Sequence, residues 1–154
     1  MSFDGNLYGI PVQGESPKDK VTISKGSGTF TTTGLSLVDV TNLNATVQRI
    51  DDEIFEIFLQ SDGINTGNIH INSVSTAYPR ARSAILRNGT IIYDVLLGVA
   101  NPGTTAQLDV APGCIRVLDT TPHQGKNIYS FQITNIANDS VTVNSCVLVV
   151  RKIT

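Results

Sequence analysis

The sequence predicts an all-β sandwich or barrel. Three observations carry that expectation: a composition rich in β-branched and turn-forming residues, eight or so short alternating runs, and turn signals between the runs. The chain has 154 residues, enough for one domain and short for two, since domains commonly run to about 100–150 residues. Hydrophobic residues make up 40% of it, which suffices for a core. Thr, Asn, Ser, Val and Ile dominate, there is no Trp, and Met occurs once. Such a composition favours strands over helices.

Residues 1–28 are set apart from the rest. Pro11, Pro17 and the glycines at 5, 9, 14, 26 and 28 interrupt any regular element. Yet Phe3, Leu7, Tyr8, Ile10 and Val12 are apolar, more anchors than a disordered tail usually carries. One reading is a floppy terminus. The other, adopted here, is an extended N-terminal arm over 1–28 that becomes ordered by docking those five side chains on a neighbour. Fully extended, it spans on the order of 90 Å at ~3.3 Å per residue. A domain over residues 29–154 follows.

Within that domain, TFTTTGLSLVDV places Leu35 and Leu37 on one face and Val38 and Val40 on the other. LNATVQRI alternates Leu43, Ala45 and Val47, and DEIFEIFLQSDG ends in the turn signal Asp62-Gly63. NIHINSVSTAY sets Ile69, Ile71 and Ser73 against His70, Asn72 and Val74. SAILRNGTIIYDVLLGV is the clearest hairpin, because Asn88-Gly89 suits the two positive-φ positions of a type I′ turn. QLDVAPGCIRVLDTTP holds two short strands broken at Pro112-Gly113, and HQGKN is expected as a loop. IYSFQITN turns Tyr129, Phe131 and Ile133 to one side. Asn138-Asp139 then turns the chain into the final strand, with Cys146, Leu148 and Val150 opposite Val147 and Val149.

Two segments resist the simplest reading. Val40, Leu43, Val47, Ile50, Ile54 and Ile57 also fit a heptad ladder. The density of β-branched residues and the absence of a Glu/Lys flanking pattern favour strands over a short coiled-coil stalk. The final strand and TIIYDVLLGV are apolar on both faces, whereas a sandwich strand is normally apolar on one. Such strands need cover on both sides, from another subunit or from the chain's own loops and arm.

Charged residues are only 16%, against about 25% in typical soluble domains, which suits a surface largely covered by partners. A net charge of -2 gives no basic footprint for nucleic acid. No apolar run reaches the ~18 residues of a membrane-spanning helix, and no secretory signal is visible, so folding in a cytoplasm is expected. Cys114 and Cys146 then read as buried thiols rather than a disulfide.

Groupings with chemical potential are few. Cys114, Asp119 and His123 lie close in sequence, but nothing in their pattern sets up the geometry of a thiolate nucleophile. His70 and His123 are not spaced as metal ligands. Asp51, Asp52 and Glu53 lack the alternating oxygen donors of a calcium loop and read as a solvated turn. Gly26-Ser27-Gly28 leads into Thr-rich sequence and not into a phosphate-binding helix. Arg80, Arg82 and Arg87 form a modest basic cluster suited to an acidic partner or to a solubilised edge strand. The expectation is a protein that is not an enzyme, with no catalytic residues, no metal and no cofactor.

Taken in order, SLVDVTNLNATV, YPRARSAILRNGTIIYD, PGCIRVLDTTPHQGKNIYSFQITN and SVTVNSCVLVVRKI resemble the tumour necrosis factor-like jelly roll of bacteriophage virion proteins. The matching positions are Val38-Asp39-Val40, Arg87 to Thr90, Asp119 to Pro122, and Tyr129 to Gln132, within residues 30–154. The fold class is then a jelly-roll β-sandwich with an extended N-terminal arm. The resemblance implies a homotrimer packed around a threefold axis by the exposed face of one sheet. It puts Val147 and Val149 at the trimer interface, with Tyr129 and Phe131 near the axis unless the core takes them. The role expected from this is capsid decoration (cement): a trimer on the outer surface of a virion head, assembled in the host cytoplasm. The arm would dock on the major capsid protein, with neither nucleic acid nor membrane as partner. The alternatives are a receptor-binding fibre head, recognising through residues 101–105 and 123–127, and a carbohydrate-binding module, for which the lack of Trp is unfavourable.

Overall fold

The computed structural model describes residues 21–25, 28–73, 79–98, 106–136 and 140–153. Phe3, Leu7, Tyr8, Ile10 and Val12 lie outside the described residues, as do Val74, the Asn138-Asp139 turn and residues 101–105. Among the described residues twelve strands follow one another. The first six are β1 (Val21–Lys25), β2 (Thr29–Thr32), β3 (Val38–Arg49), β4 (Phe55–Ser61), β5 (Asn68–Ser73) and β6 (Arg80–Arg87). Then come β7 (Thr90–Gly98), β8 (Ala106–Val110), β9 (Arg116–Asp119), β10 (Gly125–Asn135), β11 (Ser140–Asn144) and β12 (Cys146–Lys152). A 3-10 turn, Pro112–Cys114, sits between β8 and β9 where Pro112-Gly113 breaks the run.

The strands form three antiparallel four-stranded sheets, ordered β9-β4-β12-β1, β8-β5-β11-β2 and β7-β6-β10-β3. Each order is the same four lanes laid side by side. The chain passes from the first sheet through β8-β5-β11-β2 to β7-β6-β10-β3, here the second sheet, as β1-β2-β3 and β4-β5-β6, and returns as β7-β8-β9 and β10-β11-β12. We call the sheet β8-β5-β11-β2 the bend sheet, since it carries every lane between the other two. Setting it aside, the eight remaining strands, taken in chain order, are arranged 1-8-3-6 in one sheet and 2-7-4-5 in the other. That is the strand order of a jelly roll. The fold is therefore an all-β jelly-roll sandwich, with Val21–Lys25, inside the segment read as arm, paired along β12.

Alternation decides which side chains face in. From the bend sheet Ile69, Ile71, Val141 and Val143 enter the core, while His70, Asn72 and Thr142 face away. From the first sheet Phe55, Ile57, Leu59, Leu148 and Val150 point inward, and from the second Leu43, Ala45, Val47, Ile85, Phe131 and Ile133 do. Phe55 meets Tyr129 edge-on, centroids 6.4 Å apart. The heptad ladder is thus resolved into β3 and β4, with Ile50 exposed in the turn between them. Leu35 is exposed in the β2–β3 connection and belongs to no strand, because Gly34 and the turn after it interrupt the run. Part of HQGKN is strand, since β10 begins at Gly125.

The end opposite the bend sheet is stitched by polar groups. Arg49 Nη1 donates to the Pro122 carbonyl (2.5 Å) and Gln124 Nε2 to that of Ile50 (2.5 Å). Glu53, expected in a solvated turn with Asp51 and Asp52, is instead buried against Lys152, Nζ to Oε1 2.5 Å, and accepts from the Ile50 amide. The β6–β7 turn is the tight one its sequence predicts, with φ 49° at Asn88 and 85° at Gly89. A Cβ at Gly89 meets nothing within 4 Å. Gly89→Ala therefore isolates backbone strain: urea unfolding should show a loss of about 1–2 kcal/mol, and an unchanged midpoint would contradict the turn assignment.

Candidate functional site

The first sheet is apolar on both faces, as the final strand predicts. Register partners share a face, so the outer side of this sheet reads in rows. One row is Arg116, Phe58, Val149 and Ile23, and the next is Leu118, Glu56, Arg151 and Val21. Gln60 and Val147 begin a third. Phe58, Val147 and Val149 make a small apolar cluster of their own, separate from the main core. Val21, Ile23 and Leu118 beside it are each about half exposed, at 47%, 51% and 53%.

A charged clamp lies over this patch. Glu56 accepts from Arg116 Nη1 at 2.5 Å and also from Arg151 Nη2. Held so, the two guanidinium carbons sit 4.4 and 5.8 Å from the Phe58 ring centroid, in cation–π range. Burial alone raises the Glu56 pKa, but bonds from Arg151 and Arg116 outweigh it and leave the carboxyl below its ordinary 4.5. The arrangement is an ordered, mostly apolar surface with a fixed charged margin, which suits a binding or structural role.

The other expected residues are placed differently. Tyr129 and Phe131 are fully buried within one chain, so the expectation that they line a trimer axis is corrected: β10 turns them into the core. Tyr129 donates its hydroxyl to Asp119 Oδ2 (2.7 Å). Val147 and Val149 lie on the outer face of the first sheet but are themselves buried within the chain, at 5% and 4% exposure. Cys114, expected to be buried, is exposed in the 3-10 turn, while Cys146 is buried and both are free. Burial and the charge of Asp62 push the Cys146 thiol up to about 11. Asp119 is committed to Arg87, Tyr129 and the Thr121 amide, not to a cysteine or histidine. In the basic cluster, Arg82 is paired with Asp94 and Arg87 with Asp119. The loop at 123–127 is folded on itself, with Asn127 Nδ2 donating to the His123 and Gly125 carbonyls (2.7 and 3.1 Å) and Asn127 Oδ1 accepting from the His123 amide.

Sequence reading missed Phe58, Glu56, Arg116 and Arg151. The signal was present in EIFLQ, whose Glu56, Phe58 and Gln60 alternate against Ile57 and Leu59, but a lone Phe on a polar phase reads as noise.

No family model matches the chain, and no curated protein does. Solved structures are similar to it at low identity. The tumour necrosis factor Eiger of S. frugiperda shares 7% identity at TM-score 0.48, over 87% of this chain and 92% of that one. The insecticidal delta-endotoxin Cry8Ea1 of Bacillus thuringiensis shares 7% at TM-score 0.40 over 82% of this chain, which spans only 20% of the toxin's length. A family 35 carbohydrate binding module from Clostridium thermocellum shares 17% at TM-score 0.31, over 85% and 97%.

Because Glu56 has a depressed folded pKa, its contribution to stability is complete above its ordinary 4.5 and is lost as pH falls through the lower folded value. Glu56→Gln should flatten the acid limb of the stability–pH curve and leave the neutral limb parallel to the parent. Identical acid limbs would mean the clamp contributes nothing.

Proposed function

We propose that this chain is a structural virion protein, a capsid decoration protein that trimerises on the head and stabilises the shell. The observation that carries the reading is the set of half-exposed apolar residues Val21, Ile23 and Leu118 around the buried Phe58–Val147–Val149 cluster on the outer face of the first sheet, whose strand β1 continues directly from residues 1–20. Ile23, Leu118 and Val21, half exposed around the buried Val147 and Val149, supply the trimer contact. The Arg116–Glu56–Arg151 clamp then borders the contact and sets its orientation, as charged margins do. Residues 1–20 form the docking arm, with Phe3, Leu7, Tyr8, Ile10 and Val12 as anchors on the major capsid protein. Apolar burial contributes ~25 cal/mol per Å², and three linked arms bind far more tightly than one because later contacts are effectively intramolecular.

Strand β1 fixes where the arm can be cut. A deletion of 1–28 removes an edge strand of the first sheet, whereas a deletion of 1–20 spares it. The purified chain should sediment at about three times its 16.5 kDa mass, and Ile23→Glu, at a half-exposed position, should give a folded monomer. A parent protein that is already monomeric would sink the trimer. The deletion of 1–20 should keep the trimer yet abolish saturable binding to capsid shells lacking the protein. Undiminished shell binding would remove the arm's role, and adsorption to host cells without shell binding would replace decoration by receptor recognition.

A further inference from the structure

Strand β3 leaves its partner partway along. Ser130 of β10 pairs with Asn44 and Gln132 with Asp39, so residues 40–43 of β3 oppose a single residue of β10. The inward positions Val40 and Leu43 stay in the core, while Thr41 and Asn42 in succession face out. Asn42 takes the left-handed conformation, φ 67°. The arch is tied to the neighbouring sheet by Ser24 of β1, whose hydroxyl donates to the Asn42 carbonyl (2.5 Å) and accepts from the Asn44 amide (3.0 Å). Bulges that re-aim side chains, and strained non-glycine residues, concentrate at functional sites.

The arch opens a cleft of about 350 Å³ between β3 and β10, lined by Asp39, Thr41, Asn42, Asn44, Ile128 and Ser130. Its polar side chains differ from those of the bend sheet. On the bend sheet, polar groups spend themselves on one another, as in Thr29–Asn144–Asn68–Asp109–His70. Around the arch, the side chains of Thr41, Asn42, Asn44 and Ser130 have no hydrogen-bond partner among the described residues. Asp39 is oriented by Gln132, Nε2 to Oδ1 3.0 Å.

We propose that this cleft is a saccharide-binding site that takes one pyranose ring of a neutral glycan. Amide and hydroxyl side chains both donate and accept, which matches the paired hydroxyls of a sugar. Ile128, 38% exposed, offers an apolar surface to the ring's C–H face. Among the described residues, the only charge lining the cleft is the carboxylate of Asp39, which disfavours acidic sugars. The cleft's volume lies within the ~300–1,000 Å³ of small-molecule sites, and the Ser24 tie makes it preorganised, which lowers the entropic penalty of binding.

The test is an NMR titration of the full chain with the methyl pyranosides of glucose, galactose, mannose, rhamnose and N-acetylglucosamine. At least one should saturate with a Kd of about 1 mM and move the amide signals of residues 39–44 and 130. Asp39→Ala and Asn44→Ala should each weaken that binding about tenfold, while Thr46→Ala, outward on the same strand beyond the arch, should leave it unchanged. No shifts at the arch with any of the five up to about 50 mM, or shifts confined to the bend sheet, would overturn the proposal.

Discussion

One buried carboxylate organises the open end of the roll. Asp119 is 5% exposed, and an isolated charge there would cost several kcal/mol. Arg87 Nη1 donates to both of its oxygens (2.8 and 2.9 Å), Tyr129 to one, and the Thr121 amide to the other. The charge is matched and the acceptor sites are filled from β6, β10 and the β9–β10 connection. Burial and the nearby Asp119 charge keep the Tyr129 phenol protonated, its pKa far above the ordinary 10.0, so it remains a donor. With the hydroxyl fixed, the ring stands edge-on to Phe55, and the core of the first sheet is registered on that of the second.

The two main sheets meet solvent by different rules. The second sheet is the usual case along β10, where Ser130 and Gln132 alternate with Tyr129, Phe131 and Ile133. The first sheet breaks that rule with Phe58, Val147 and Val149 turned outward. The bend sheet obeys it to an extreme: every outward position described on β5 and β11 is Asn, His, Ser or Thr. One end and one face are therefore chemically distinct, the bend sheet water-compatible and the first sheet partly covered by its own arginines.

The all-β class, most strand positions and the two-faced final strand were legible because they rest on period-two alternation and on Asn88-Gly89, which are local signals. The bend sheet was not legible. Its four strands are short pieces of runs that read as continuous or as connections, and only the lane order in space separates them. Glu53 was misread for a similar reason: three successive acids look solvated until Lys152, ninety-nine residues on, is folded beside one of them. Tyr129 and Phe131 were legible as buried but not by what, since an inward phase fits a core and an interface alike. The arch in β3 left a trace in Val40-Thr41-Asn42-Leu43, where the spacing of apolar residues slips by one.

The lane order also has a temporal side. Strand β1 is an outer lane, and among the described residues its strand partner is β12, the described strand farthest from it along the chain. A ribosome-bound chain that has not yet released Cys146–Lys152 holds β1 with nothing to pair against, while β4 waits for the same strand to fill its second edge. Closing such distant pairs is slow relative to local hairpins like β6–β7. Strand β1 is thus fastened to the domain only after β12 has emerged, more than a hundred residues behind it. Emergence of β12 becomes the checkpoint for closing the first sheet.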